Sequence, residues 1–300
     1  QLYRMDYRDM LETHVDNDAD ITVGVLPVTR EAARGFGVLK VQSDGRIVEF
    51  VEKPQADEQL DALITPSEVF AERGINAEGR DYLASMGVYI FKADVLENIL
   101  RTEPSWIDFG RDVIPKSLAT LHVHSHLFTG FWEDIGTVRS YYETCLEMVG
   151  PNPPFRFHEN GLPIYSRARY LPGSQLKDVM VNEAVICEGC IIERSTITRS
   201  LIGVRAIVKP GAHIENSIIM GADHYEEERA EKGPVPIGIG VNARIVRAII
   251  DKNARIGKGV VIEGGDHLPD VDGLGHAVRD GIVIVLKGAV IPDGMRIGVT

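Results

Sequence analysis

The sequence predicts an α/β layer domain followed by a left-handed parallel β-helix, and three observations lead there. In the second half, aliphatic residues recur at every sixth position: Val179, Val185, Ile191 and Ile197, then Ile202, Val208 and Ile214, then Ile250, Ile256 and Ile262, then Val285, Ile291 and Ile297. A step of six matches neither the 3.6-residue helix nor the two-residue strand. It matches a solenoid whose short strands turn a corner every six residues, so that one aliphatic side chain per face stacks into an interior column. In the first half, runs of β-branched and aliphatic residues alternate with helical patterns, the signature of an α/β layer. Between the two, Pro151-Asn152-Pro153-Pro154 breaks a helix and opens a linker. The expected domains are residues 1–150, a linker 151–174 and a β-helix 175–300.

Taken in order, residues 7–14 read as a short helix and 21–28 as a buried strand. Residues 36–41 and 47–52 flank Ser43-Asp44-Gly45, a hairpin turn of the Asp-Gly type. The stretch 54–80 is polar and without period, which predicts an excursion over the surface. Residues 83–91 read as a strand, 93–101 and 109–119 as helices and 121–128 as a strand. A helix then runs from Thr137 to Met148, with Thr137 as its N-cap. In such a layer the site belongs in loops beyond the strand ends.

Composition narrows the class. Three hundred residues, 44% hydrophobic and 25% charged, describe an ordinary globular chain of about two domains. A formal net charge of −12 disfavours nucleic acid and anionic membrane surfaces as partners. No apolar run approaches the roughly 18 residues that a membrane span needs, and no signal peptide is visible. Three cysteines, Cys145, Cys187 and Cys190, make no even disulfide framework and suggest a reducing compartment.

Two loops carry the candidate chemistry. Glu52-Lys53-Pro54 places a lysine at a strand end, where Pro54 prevents further ladder pairing and a cation can meet a phosphate as a point charge. A surface lysine after an edge strand is the simpler alternative. Trp132-Glu133-Asp134-Ile135-Gly136-Thr137 places a carboxylate between a strand and a helix. Asp134 there could hold Mg²⁺, which prefers one or two carboxylates plus substrate phosphates, or could be a second helix cap. His122, His124 and His126 alternate on a strand and could bind a metal, although a polar strand edge is the commoner case. Cys187 and Cys190 form a Cys-x-x-Cys with no second pair, which fits packed thiols better than zinc. His213 would suit an acyltransferase base, but a solvated turn is the blander reading. The Glu-rich run from His224 to Lys232 reads as a solvated excursion from the coil.

Several segments resemble the sugar-nucleotide pyrophosphorylases: Gly35-Phe36-Gly37-Val38, Glu52-Lys53-Pro54, Ala84-Ser85-Met86-Gly87-Val88-Tyr89, Asp108-Phe109-Gly110 and Trp132-Glu133-Asp134-Ile135-Gly136-Thr137. Met220-Gly221-Ala222-Asp223 and Asp251-Lys252-Asn253-Ala254-Arg255-Ile256-Gly257 are similar to the glucose-1-phosphate adenylyltransferase family in its cyanobacterial and plant branch. The resemblance implies that the α/β part is the C-terminal part of a Rossmann-like nucleotidyltransferase domain. It also implies adenylyl transfer from ATP to glucose 1-phosphate, giving ADP-glucose and pyrophosphate for glycogen or starch synthesis, with Mg²⁺ as cofactor. Carried over residue by residue, Lys53 binds the sugar phosphate, Glu52 and Ser85 bond sugar hydroxyls, Gly37 lets backbone approach the ligand, and Asp134 is a metal ligand. Lys252 and Lys287 correspond to activator-binding lysines, for a phosphorylated sugar acid such as 3-phosphoglycerate opposed by inorganic phosphate. Arg244, Arg247 and Arg255 would add cations on neighbouring coils. A homotetramer or heterotetramer is implied, in the cytoplasm, or in the plastid if an N-terminal transit peptide exists. The family's glycine-rich nucleotide loop would lie upstream of Gln1, so the residues given are expected to be inactive alone. The competing expectations are another hexose-1-phosphate nucleotidyltransferase and a non-catalytic regulatory subunit of the same fold.

Overall fold

The computed structural model describes residues 1–71, 75–157, 164–226 and 235–299. The chain divides into two compact units, Tyr3–Trp132 and a second made of Gln1–Leu2 with Glu133–Thr300.

The first unit is built on one five-stranded sheet. Its strands are β1 (Ile21–Val28), β2 (Gly37–Val41), β3 (Ile47–Glu52), β4 (Tyr82–Phe91) and β5 (Val123–Leu127), in the spatial order β3-β2-β4-β1-β5. Only β1 and β5 run parallel; the other neighbours are antiparallel. The β1 strand is flanked on both sides, by β4 and β5, and Ile21, Val23 and Val25 are fully buried in the larger of the unit's two cores. This explains its unbroken apolar run in place of an alternation. The hairpin between β2 and β3 forms at the predicted turn, with Gly45 at φ +96 donating to the Gln42 carbonyl at 2.9 Å.

Two expectations change here. The polar stretch 54–80 contains two short helices, Asp57–Ala62 and Ser67–Ala71, which bury Leu60, Val69 and Phe70. Three apolar residues spread over two helices are too few to show a period in the sequence. Residues 72–74 of that stretch lie outside the described residues. The predicted helix 109–119 opens as a wider π turn, Phe109–Val113, before a short α-helix, Ile114–Ser117. The Asp108 carboxylate caps that turn by accepting from the Arg111 N–H at 2.8 Å. Of the three histidines, His126 meets the Thr13 hydroxyl at 2.8 Å, and the rings of His122 and His124 pack edge to face. Among the described residues no group of three or more His, Cys, Asp or Glu side chains could hold a metal by itself.

The second unit is a parallel β-helix. Ile197 pairs with Ile214, and Ile202 with Ile219, so one coil takes seventeen residues. A strict step of six would take eighteen. The walk along the interior therefore runs Ile197, Ile202, Val208, Ile214, Ile219, mixing steps of five and six, and each of these side chains is buried. A one-residue drift reverses which side of a strand a residue faces, and the first ladder shows the result. Val185 and Ile191 point outward, at 39% and 36% exposure, and Ile186 and Ile192 line the interior in their place. The later ladders through Ile202, Ile250 and Val285 are interior as predicted.

Two insertions interrupt the coil. Ile219 pairs with Ile250, and Ile250 with Val285, separations far longer than one coil. The second insertion carries the hairpin Val271–Gly273 with His276–Arg279. The first includes the Glu-rich run, of which residues 227–232 lie outside the described residues. At its edges Glu226 accepts from Arg255 Nη1 at 2.6 Å, and the same nitrogen donates to the Val235 carbonyl at 2.6 Å. Coil corners use left-handed backbone at Asp178, Arg194, Asn216, Asn242 and Asn253, residues the chain can place at positive φ at modest cost. Gly221 has no alternative, because a Cβ there would lie 2.1 Å from the Val204 carbonyl oxygen. Cys190 is packed inside, its thiol 3.2 Å from the Cys187 and Gly203 carbonyls, and burial pushes both thiols up.

The helix α1 (Val138–Val149) packs on this coil. Thr137 and Ser140 form a reciprocal capping box at its start. Tyr142 and Leu146 are buried against Ile218, Ile249 and Ile282, and the Tyr142 hydroxyl donates to the Asn216 carbonyl at 2.5 Å.

The register makes a paired prediction. Ile192→Ala, in the interior column, should cost about 2–5 kcal/mol in chemical denaturation. Its neighbour Ile191→Ala, which faces outward, should stay within about 0.5 kcal/mol of the parent. Equal losses at both positions would reject the interior assignment.

Candidate active site

Glu52 closes β3 and pairs across the sheet with Gly37, the first residue of β2. A Cβ on Gly37 would lie 2.4 Å from Phe50 Cζ and 2.8 Å from Glu52 Oε2, and a Cβ on Gly110 would lie 2.9 Å from that same oxygen. Two glycines therefore frame the Glu52 carboxylate. Any side chain at either position would displace it.

Lys53 follows in left-handed backbone, φ +49, with its N–H donating to the Phe36 carbonyl at 2.9 Å. That conformation is uncommon for a residue with a Cβ and turns the chain sharply before Pro54. The turn is held from below. Gln55 Nε2 donates to the Lys53 and Arg34 carbonyls at 2.9 and 3.0 Å, Arg34 pairs with Asp57 at 2.5 Å, and Arg30 pairs with Asp61 at 2.7 Å. These bonds use the backbone of Lys53 and leave its ammonium exposed, with no ion pair among the described residues.

Ser85 sits where β4 bulges away from β1: Val23 pairs with Tyr89 and Val25 with Ser85, so β4 carries extra residues around Gly87, at φ +72. The Ser85 hydroxyl accepts from the Gly87 N–H at 3.3 Å and lies 3.5 Å from the Tyr89 hydroxyl. Tyr89 stacks on Phe109 with ring centroids 5.6 Å apart, and Phe91 meets Phe109 edge-on. Burial pushes the Tyr89 phenol up; the Ser85 bond opposes that, and the charges of Glu52 and Asp108 add to it. The structure thus brings Gly37, Glu52 and Ser85 to one end of the sheet and adds Tyr89, Asp108, Phe109 and Gly110. Sequence reasoning assigned those four no role, though each falls within a quoted segment. The signal was the Asp-Phe-Gly run, whose aspartate caps a turn and whose glycine makes room for Glu52.

Asp134 belongs to the other unit. It is exposed, and both of its carboxylate oxygens lie 3.3 Å from where a Cβ on Gly136 would be. Because Thr137 and Ser140 cap the helix, Asp134 is not needed as a cap. Its neighbourhood is electronegative: burial raises the Glu133 carboxyl, and Glu147, Asp134 and Glu143 raise it further. Asp134 could supply a single carboxylate to a hard divalent cation that completes its shell with water and substrate phosphates.

A third cluster lies on the coil. Lys252 and Lys287 both reach Asp223, at 3.1 and 3.4 Å, and the Lys252 bond first, with Asn253 and Lys287, holds the Asp223 carboxyl down at about 2. A cavity of about 380 Å³ opens beside them, lined by Arg167, Arg169, Arg205, Asp223 and Lys252. Arg244, Arg247 and Arg255 do not contribute as expected, because Glu263, Asp266 and Glu226 pair with them in turn. The extra cations come instead from Arg205 and from two arginines of the expected linker. Their alternation in Arg167-Ala168-Arg169 was the readable sign. His213 pairs with Glu215 of its own strand at 3.1 Å.

Comparison with known proteins draws the boundary later in the chain than the compact units do, after helix Val138–Val149. A nucleotidyl transferase family model matches residues 1–149, and a model of the GLGC left-handed parallel β-helix domain matches residues 169–295, which also sets the hand of the coil. The chain is 43% identical over 303 residues to the glucose-1-phosphate adenylyltransferase small subunit, chloroplastic/amyloplastic, of Triticum aestivum. That match covers 98% of this chain and 64% of the relative, so the chain spans a little under two thirds of that protein's length. No described helix is long and apolar enough to cross a membrane. With a nucleotidyl transferase domain running into a GLGC-type left-handed β-helix over most of its length, the chain belongs to the family of the glucose-1-phosphate adenylyltransferases.

Proposed function

We propose that the protein transfers an adenylyl group from ATP to glucose 1-phosphate, forming ADP-glucose and pyrophosphate for glycogen or starch synthesis. The observation that carries this reading is the sheet end at which Gly37 and Gly110 frame Glu52 and the next residue, Lys53, is exposed with no ion pair among the described residues. A sugar phosphate needs both features, a fixed acceptor for hydroxyls and a free cation for the phosphate.

In the reaction a phosphate oxygen of glucose 1-phosphate attacks the α-phosphorus of ATP. The bond to the bridging oxygen breaks, and pyrophosphate leaves with the electron pair. No bond to the protein forms, so catalysis is alignment and charge neutralisation. Lys53 binds the sugar phosphate, a charge-assisted contact. Glu52 accepts from sugar hydroxyls and Ser85 bonds another, its position set by Tyr89. Gly37 allows close approach to the backbone. Asp134 would hold Mg²⁺ together with the substrate phosphates. That ion supplies positive charge where the phosphates crowd.

The same reading extends to control and assembly. Lys252 and Lys287, with the neighbouring arginine-lined cavity, bind an anionic effector such as 3-phosphoglycerate, with inorganic phosphate competing. The chains assemble as a homotetramer or heterotetramer. The apolar outer face of the first coils, with Leu176, Met180, Val181 and Val185 exposed, supports such an assembly. The compartment is the cytoplasm, or the plastid where the gene encodes a transit peptide.

Three variants of the full-length gene product test this. Lys53→Ala removes a contact worth about 1.5–3 kcal/mol, so KM for glucose 1-phosphate should rise about tenfold or more while KM for ATP changes far less. Equal effects on both substrates would reject the assignment. Asp134→Asn keeps the size and removes the charge, so kcat should fall by orders of magnitude in a protein whose melting temperature is unchanged. Near-normal turnover at ordinary Mg²⁺ would remove Asp134 from the mechanism. Reversing the charges of Lys252 and Lys287 together should raise the 3-phosphoglycerate concentration for half-activation about tenfold. Activation that survives both changes places the effector elsewhere.

A further inference from the structure

The proposed metal carboxylate and the proposed effector lysines lie in one compact unit, apart from the sugar-phosphate residues. Asp134 lies three residues before Thr137, the cap of helix Val138–Val149, and that helix is fastened to the coil at two points. Tyr142 is 6% exposed, its ring packs among Leu146, Ile218, Ile249 and Ile282, and its hydroxyl reaches the Asn216 carbonyl. Nearer the start, Arg139 donates to the Asp280 carbonyl at 3.3 Å. Burial pushes the Tyr142 phenol up to about 12, so it stays a neutral donor.

The coil strand under this helix runs straight into the anion cluster. Ile249 packs on the helix, Ile250 points into the interior column, and Asp251 leads to Lys252, whose N–H bonds the Asp251 carboxylate at 2.6 Å. This rung is bonded above and below, with Ile249 paired to both Ile218 and Ile284. A packed rung cannot deform gradually. Loss of the hydroxyl bond would leave a second arrangement of the helix on this rung, seated by its apolar contacts alone.

We propose that Tyr142 is a positioning residue that seats the Asp134 helix on the Lys252 coil, so that an anion bound beside Lys252 acts on the metal carboxylate and not on the sugar-phosphate residues. This rests on the roles proposed above for Asp134 and Lys252. An effector shifts such an equilibrium only by its differential affinity for the two seatings.

Hydrogen exchange of the 138–149 amides in the full-length protein tests it. In the wild type, 3-phosphoglycerate should slow exchange across the helix and lower the Mg²⁺ concentration for half-maximal rate. Tyr142→Phe keeps the ring and removes the bond. The variant should still bind 3-phosphoglycerate by calorimetry, exchange the helix faster without response to the anion, and need about fivefold more Mg²⁺, with KM for glucose 1-phosphate unchanged. Binding of 3-phosphoglycerate that leaves wild-type helix exchange unaltered overturns the proposal, as does a Tyr142→Phe protein whose KM for glucose 1-phosphate rises as much as its Mg²⁺ requirement. If Tyr142→Phe fails to fold, Ile249→Val loosens the same contact and is read in the same way. Failure of the wild type to bind 3-phosphoglycerate, or equal binding after reversal of Lys252 and Lys287, overturns the underlying effector reading and this proposal with it.

Discussion

The aliphatic column inside the β-helix is the constraint on which the second unit depends. Ile192, Ile197, Ile202, Val208, Ile214 and Ile219 are buried together in it, and a packed interior tolerates no shift in register. Every other feature of the coil is placed by that filling. Corners fall where the column turns, at residues able to take positive φ, and insertions can leave only at corners. Lys252 stands where it does because Ile250, two residues earlier, occupies an interior position. Helix Val138–Val149 finds a flat apolar face in Ile218, Ile249 and Ile282 because their outward side is the reverse of the same rungs.

In the first unit the governing feature is space. The Glu52 carboxylate can lie at the sheet end only because Gly37 and Gly110 lack side chains. Lys53 is then turned outward by its left-handed backbone, and hydrogen bonds from Gln55 hold the turn. Acceptor and cation are adjacent in sequence yet differ in environment, one framed and half-buried, the other exposed and without an ion pair among the described residues. This is the arrangement a sugar phosphate requires, since hydroxyls need fixed acceptors and a phosphate is met by a mobile point charge.

In the proposed reading, the division of the chain places the sugar-phosphate residues in one unit and the metal and effector residues in the other. Asp134 shares a unit with Lys252 and Lys287, while Glu52, Lys53 and Ser85 lie in the other. Local order in the second unit, from helix seating to ion pairing at Asp223, bears on the carboxylate first.

Much of this was legible in the sequence because it is local. The step near six predicted the coil, since neighbouring positions on a face must all be aliphatic. The Asp-Gly turn, the Thr137 cap and the Glu-Lys-Pro strand end are each decided within a few residues. The interior side of the first ladder was not legible, because coils of seventeen residues let a strict period drift by one, and only pairing with the next coil shows which way Ile191 and Ile192 face. Likewise the cations beside Lys252 could not be chosen from a list of nearby arginines. Arg244, Arg247 and Arg255 are consumed by carboxylates brought from other coils and insertions, whereas Arg167 and Arg169 arrive from a stretch with no period at all. The sequence by itself determined the two architectures, the turns and the residue types at the sheet end. Which carboxylate shares a compact unit with which cation was decided by tertiary packing, because that depends on pairings between residues far apart in the chain.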